Sequence, residues 1–207
     1  MTSRERILSA AIPIFARKGR HGAHMEEIAS LAHINKAMIY YIFHSKDELY
    51  FEVLKFVMEK AWESFAPFAD SEVKMNKGYA DVLSDYITTQ LNFFYENRNY
   101  TKILVDAMSS GAEEIPRAEK FIKASHIDRN PTASMKEFIE KGKESGVIRD
   151  IDTDHLMISI MGMIIVYFLT HSISESFNIE MENEPEFMEA RRKSIIDLVL
   201  NGILVRK

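Results

Sequence analysis

The residues whose types and spacing most clearly suggest a chemical function lie between positions 24 and 46. If Ile39, Ile42 and Phe43 face the interior, the outer face of their helix presents one cation, thin side chains and two tyrosines, namely Lys36, Ala37, Met38, Tyr40 and Tyr41. Ammonium and hydroxyl groups bind phosphate oxygens, whereas small apolar side chains approach base edges and thymine methyl groups. This combination predicts a surface that enters the major groove of double-stranded DNA.

Two short helices must position this surface. Ile28 and Ala32 supply an apolar side to the first helix, and Ile39 and Phe43 do so for the second, across a tight turn. Two helices that pack at an angle across such a turn form a helix-turn-helix, whose second helix lies in the major groove. Asn35 directly precedes the second helix and is a good residue to cap it, because its side chain accepts from a free backbone N–H.

Helical periodicity extends over almost the whole chain. The pattern predicts further helices on both sides of Asn130-Pro131 and over residues 77–98, 101–110, 152–176 and 185–205. Thr2 with Glu5, and Ser45 with Glu48, match the capping-box pattern of helix starts. We therefore predict an all-α fold with about nine or ten helices, in which three helices precede a change in character near residue 47.

Composition excludes several classes of function. The chain has no cysteine, which excludes disulfides, thiolate metal sites and cysteine nucleophiles. Residues 1–50, here called the head, carry seven Lys/Arg against five Asp/Glu, whereas the remainder, here called the body, carries 19 against 26. The charge of the head therefore suits a polyanion better than that of the body does. The longest apolar run, residues 157–169, is shorter than the roughly 20 residues of a membrane span. We expect a cytoplasmic protein without a membrane partner.

No pattern in the sequence indicates a metal or cofactor. His21 and His24 lie three residues apart, but no third ligand is evident nearby. Neither a phosphate-binding loop nor a dinucleotide fingerprint is present. We predict neither a metal site nor a cofactor.

A longer pattern in the first 50 residues is specific enough to indicate a family. Its positions are Ile7-Leu8, Ala11, Phe15-Ala16, Gly19, Ile28-Ala29, Ala32, Ile34, Lys36, Ile39-Tyr40-Tyr41, Phe43, Ser45-Lys46 and Glu48-Leu49. This pattern strongly resembles the N-terminal region of the TetR family of bacterial transcription regulators. Residues 138–152 match the family more loosely, and residues 50–130 show no such resemblance.

The resemblance implies a ligand-responsive, homodimeric DNA-binding regulator, a repressor that a small molecule releases from an operator with palindromic half-sites. It implies a helix-turn-helix DNA-binding domain over residues 1–47 and a ligand-binding and dimerisation domain over residues 48–207. The DNA-contacting residues that we predict are His24, Asn35, Lys36, Ala37, Met38, Tyr40, Tyr41, His44 and Lys46.

The resemblance also implies a ligand pocket and a dimer interface in the body. Aromatic and methionine side chains from the helices that enclose the family's pocket are Trp62, Phe65, Phe94, Met108, Phe121 and Tyr167. Such side chains, in an acidic body, favour a lipophilic or aromatic effector that is neutral or cationic. The last two helices would form a four-helix interface through Ile158, Met161, Ile165, Phe168, Ile195, Ile196, Val199, Leu200 and Ile203.

Three residues depart from the family pattern. His33 replaces the usual glycine of the turn, Ile42 replaces a polar residue, and His24 replaces the Thr or Ser that caps the second helix. A weaker cap costs about 1 kcal/mol, and a non-glycine residue at positive φ is unfavourable. The alternative function is an all-α enzyme or carrier that binds a small molecule and in which the head only packs. The same aromatic side chains could also fill the interior and leave no pocket.

Overall fold

The computed structural model describes residues 1–70, 77–109, 113–125, 130–170 and 184–205. Within these ranges the chain forms ten α-helices and one 3₁₀ turn, Ala66–Ala69. The α-helices are α1 Ser3–Gly22, α2 Met25–Ala32, α3 Lys36–Phe43, α4 Lys46–Phe65, α5 Tyr79–Glu96, α6 Arg98–Ser109, α7 Glu114–Ser125, α8 Pro131–Glu144, α9 Thr153–Thr170 and α10 Glu184–Ile203. This confirms the predicted all-α fold, although residues 171–176 of the helix predicted over 152–176 lie outside the described residues.

The predicted capping residues define the helix starts. The Thr2 hydroxyl accepts from the Glu5 backbone N–H at 3.3 Å, and the Glu5 carboxylate accepts from the Thr2 backbone N–H at 2.8 Å. At α4, the Ser45 hydroxyl accepts from the Glu48 N–H at 3.0 Å. At α8, the Asn130 side chain accepts from the backbone N–H of Ala133. These bonds satisfy N–H groups that a helix start leaves without partners.

The chain divides into two compact units. Unit 1 comprises residues 1–61 and 97–127, and unit 2 comprises residues 62–96 and 128–207. The core of unit 1 joins the first four helices to α6, with fully buried side chains from each, including Ile7, Ile28, Ile39, Leu54 and Ile103. The predicted boundary at residue 47 separates a DNA-binding domain from a ligand-binding and dimerisation domain, and it stays a prediction.

A single carboxylate connects three helices of unit 1. Asp106 of α6 accepts from the Tyr50 hydroxyl of α4 at 2.7 Å and from the Arg20 backbone N–H of α1 at 3.1 Å. α1 breaks its helical geometry at Gly19, which has φ 66°. A Cβ atom at Gly19 would lie 2.6 Å from Asp106 Oδ1, so only glycine allows both the positive φ and this close approach. Burial, reinforced by Asp106, raises the pKa of Tyr50.

Unit 2 contains a continuous series of aromatic side chains, here called the aromatic cluster. Neighbouring ring centroids lie 4.9–6.4 Å apart, a separation typical of favourable aromatic pairs. The pairs run through Phe65–Tyr86, Phe68–Tyr86, Phe65–Phe93, Phe93–Phe94, Phe94–Phe168, Tyr167–Phe168 and Tyr167–Phe187. The cluster therefore joins the end of α4 and the 3₁₀ turn to α5, α9 and α10.

Candidate DNA-binding site

The helix-turn-helix forms because α2 and α3 both bury one apolar face in unit 1. Ile28 and Ile39 are fully buried, and Ala32 and Phe43 are nearly so. Ile42, predicted to face inward with them, is only partly buried and packs at the edge of the core. This burial fixes the orientation of α3 and leaves its opposite face at the surface.

The turn between α2 and α3 contains the predicted positive φ at a non-glycine residue. His33 has φ 52° and ψ 47°, the left-handed conformation that ends α2. Its backbone N–H donates to the Ser30 carbonyl at 3.1 Å. The Arg6 guanidinium donates to the carbonyls of Ala32 at 2.7 Å and His33 at 3.0 Å. Arg6 of α1 therefore caps the C-terminal end of α2, a role that the sequence analysis did not identify.

The two predicted caps of the motif behave differently. The Asn35 side chain accepts from the Ala37 backbone N–H at 2.9 Å, which confirms that Asn35 caps α3. His24 occupies the N-cap of α2 but makes no side-chain capping bond, as expected for a poor capping residue. α2 therefore begins without the side-chain stabilisation that a Ser or Thr supplies.

The outer face of α3 presents the predicted groove-reading residues. Met38 and Tyr40 are about two-fifths exposed, Tyr41 is 80% exposed, and Ala37 is also exposed. His44 ends the helix at the surface with φ 62° and ψ −42°. The face thus combines two hydroxyl groups, a thioether and a small side chain, with no carboxylate in α3 itself.

Each predicted phosphate-binding lysine has a partner within the chain. Lys36 forms an ion pair with Glu26 of α2, which raises the pKa of Lys36 and lowers the pKa of Glu26. The Lys46 ammonium donates to the carbonyls of His21 at 3.0 Å and Ala23 at 3.2 Å. Lys46, at the first turn of α4, therefore binds backbone carbonyls at the C-terminal end of α1, where the helix dipole favours a cation.

The six predicted pocket residues divide between the two units. Phe65, Phe94 and Tyr167 belong to the aromatic cluster of unit 2, and Trp62 is half-buried in the same unit. Met108 and Phe121 belong to unit 1 and are more than half exposed, because α6 and α7 turn these side chains outward. The Phe121 ring packs against the Lys55 ammonium at 4.2 Å. Met108 and Phe121 are thus surface residues and are not part of a buried lining.

The predicted dimer residues divide by burial. On α9, Ile158 is 68% exposed, and Ile158, Met161, Ile165 and Leu169 form a helical stripe of exposed or half-exposed side chains. Phe168 packs its ring on Phe94 within unit 2 and is half-buried.

On α10, the structure corrects the predicted set. Three of its members are buried within the chain itself, so they pack in its interior and offer no surface to a second copy: Ile195, Val199 and Ile203. Ile196 and Leu200 are half-buried. Leu198, which the sequence analysis did not select, is 59% exposed.

The described ranges contain neither a candidate membrane span nor a candidate metal site. No helix in these ranges is long and apolar enough to cross a membrane. Nor do these ranges bring three His, Asp or Glu side chains together in a way that could hold a metal ion.

The chain has a helix-turn-helix whose two helices each bury one face and whose second helix exposes the other, followed by a larger helical region. These features define it as a helix-turn-helix transcription regulator. A family model described as bacterial regulatory proteins, tetR family, matches residues 7–53. A second model, the tetracyclin repressor-like C-terminal domain, matches residues 81–199, more than half of the chain. The protein belongs to the TetR family, whose members are transcription regulators and not enzymes.

Relatives of known name agree with this family. The chain is 25% identical to the HTH-type transcriptional repressor NicS of Pseudomonas putida, over 97% of this chain and 92% of that protein. It is 29% identical to the transcriptional regulator RutR of Escherichia coli, over 74% of this chain and 68% of RutR. Among solved structures, the ketosteroid transcriptional regulator KstR2 of Mycobacterium tuberculosis shares the fold, with a TM-score of 0.70 and 18% identity, over 99% of this chain and 96% of that one.

Proposed function

We propose that the protein is a homodimeric repressor that binds a palindromic operator and is released from it by a small lipophilic or aromatic molecule. The observation that carries the proposal is the exposed face of α3, held in place by the buried faces of α2 and α3. NicS, a full-length relative, is named a repressor. The effector would act in the cytoplasm, where bacterial operator DNA is found.

DNA recognition would divide between charged and uncharged residues. Lys36 and Lys46 lie at the first turns of α3 and α4, where their ammonium groups can exchange an internal partner for a phosphate oxygen. Met38, Tyr40 and Tyr41 would contact base edges, thymine methyl groups and the adjacent backbone. His24, Asn35, Ala37 and His44 are exposed and are the remaining proposed contacts, and the short side chain of Ala37 allows close approach to the DNA.

The exposed stripe of α9 supports the proposed dimer. Exposed Ile158, Met161 and Leu169 create an apolar surface that a second copy would bury, as TetR regulators usually do. An Asp at position 158 would introduce a desolvated charge into this seam, yet it would leave the protomer interior unchanged. We expect Ile158→Asp to sediment as a monomer with unchanged helical content and reduced operator affinity, because two half-sites are no longer bound together. Val147→Asp, at another exposed apolar position of unit 2, is the matched control.

The aromatic cluster supports the proposed effector class. Its side chains are mainly buried, and an aromatic or lipophilic molecule would gain about 25 cal/mol per Å² of apolar surface buried, before the costs of binding. A polyanion would gain little from such a site. Phe65, Phe94, Tyr167 and Trp62 are the members of the predicted lining that this unit contains.

The experiment that tests the function measures binding to the DNA upstream of the protein's own gene. Fluorescence anisotropy should show tighter binding to this DNA than to a shuffled duplex of equal length. Apolar aromatic compounds should weaken the specific complex, whereas sugar phosphates should not. Equal affinity for both duplexes over a range of salt concentrations would contradict the proposed regulator.

A further inference from the structure

One buried polar group in unit 2 has no partner for its acceptor. Gln90 of α5 is 1% exposed, and its side-chain oxygen Oε1 makes no hydrogen bond to any residue that the structure describes. Buried amide groups are normally hydrogen-bonded, and leaving one acceptor unsatisfied costs about 1–3 kcal/mol. A free protein that tolerates this cost holds an acceptor available to a donor from outside the described residues.

The Tyr86 hydroxyl lies one helical turn before Gln90. Burial raises the pKa of Tyr86 to about 12, and the Gln90 side chain partly offsets this rise, as expected of the amide N–H₂ group, which is a donor. The amide therefore presents its N–H₂ group to Tyr86, and its carbonyl oxygen is the part left without a partner among the described residues.

Aromatic rings lie on both sides of this acceptor along α5. Tyr86 and Phe94 are four residues before and after Gln90, so the three side chains share one face of the helix. Tyr86 contacts the rings of Phe65 and Phe68, and Phe94 contacts the ring of Phe168. A single buried acceptor among aromatic rings suits a flat ring that carries a donor on its edge.

We propose that Gln90 Oε1 is the polar anchor of the effector site, and that the effector is a flat unsaturated ring with an N–H or O–H donor on its edge. This inference rests on the proposed function and narrows its effector class. The aromatic cluster supplies apolar and edge-to-face contacts with the ring. The Gln90 carbonyl accepts its donor and distinguishes it from an equally apolar ring that has none.

Matched pairs of ligands test this proposal in the full-length protein. Phenol with anisole, indole with 1-methylindole, and 2-naphthol with 2-methoxynaphthalene differ in each case by loss of the donor. Titration calorimetry on the wild-type protein should show about tenfold tighter binding of the donor-bearing member of at least one pair. Gln90→Met keeps the length and volume of the side chain but removes the acceptor. The ratio of the two affinities in that pair should therefore fall to about one.

Two controls separate a ligand contact from a structural role. Tyr86→Phe retains the ring and removes the hydroxyl that orients the amide, so it should weaken the preference less than Gln90→Met does. A preference that persists in Gln90→Met, a preference for the methylated members, or no binding of any of the six compounds overturns the proposal. Operator binding by ligand-free protein is measured in parallel. If it is intact while the ligand result is negative, only the role of Gln90 is rejected, whereas loss of specific DNA binding rejects the proposed function itself.

Discussion

Lys46 is the residue whose replacement most directly tests the DNA-binding surface. Its ammonium lies beside the C-terminal end of α1, 3.0 Å from the His21 carbonyl and 3.2 Å from that of Ala23. We predict that Lys46→Ala weakens binding to operator and random duplexes alike, because a phosphate contact carries no sequence information. Met38→Ala, on the exposed face of α3, should instead change the preference among operator sequences.

The expected size of the effect follows from counterion release. Each phosphate contact contributes about 0.9 to the slope of log affinity against log salt for B-form DNA. Loss of one contact from each subunit lowers the magnitude of the slope by about 0.9 per half-site, or about 1.8 for the proposed dimer. When the salt concentration rises from 50 mM to 200 mM, the factor by which affinity per half-site falls should therefore be about 3.5 times smaller in the variant than in the wild type. The lost bonds to the carbonyls should also lower stability, by about 0.5–1 kcal/mol, or at most about 2–4 °C in Tm.

Anisotropy titrations at four or more salt concentrations measure this slope, and thermal unfolding measures stability. Lys141→Ala is the matched control, because Lys141 also has an internal partner, Glu137 at 2.7 Å, but lies in unit 2. It should leave the salt slope unchanged. If Lys46→Ala lowers Tm and keeps the wild-type slope, Lys46 is only a helix cap and the assignment of a phosphate contact is wrong.

Two further predictions concern stability. His33→Gly should raise the free energy of unfolding by about 1 kcal/mol, because His33 has φ 52° and glycine adopts this conformation without steric cost; a denaturant midpoint that falls would contradict this. Tyr50→Phe should cost about 1.5–3 kcal/mol at pH 7 through the lost bond to Asp106, and it should also reduce the loss of stability above about pH 10. The folded-state pKa of Tyr50 is raised, so above about pH 10 the unfolded chain binds fewer protons than the folded chain and wild-type stability falls with pH. Unfolding curves of both proteins from pH 7 to 11 measure this difference; Tyr86, whose pKa burial raises to about 12, keeps a similar dependence in the variant.

Local signals in the sequence predicted the head correctly. Asn35 caps α3 and His33 adopts a positive φ, because both outcomes depend on the residue and its immediate neighbours. The helices predicted over 77–98, 101–110 and 185–205 were also correct to within a few residues, since their apolar periodicity is regular. The capping pair of Thr2 and Glu5 is a similarly local feature.

Long-range features were not predictable in the same way. The Asp106 carboxylate reaches Tyr50 and Arg20 from a helix more than 50 residues away in the chain, and no spacing rule connects them. Periodicity identified apolar faces on α9 and α10 but could not show which face packs inside the protomer. On α10, which is apolar on more than one side, the densest stripe, Ile195 with Val199, is the interior one.

The internal partners of the head lysines limit what charge can contribute to DNA affinity. Lys36 pairs with Glu26, and Lys46 binds two backbone carbonyls, so each proposed phosphate contact gains only the difference in free energy between the new partner and the old one. The head also has only a small excess of basic residues. Under the proposed function, affinity therefore depends strongly on uncharged contacts from α3 and on the simultaneous binding of two half-sites by a dimer. A regulator of this kind would bind random DNA weakly, and its operator complex would respond sharply to any change that prevents both α3 helices from binding together.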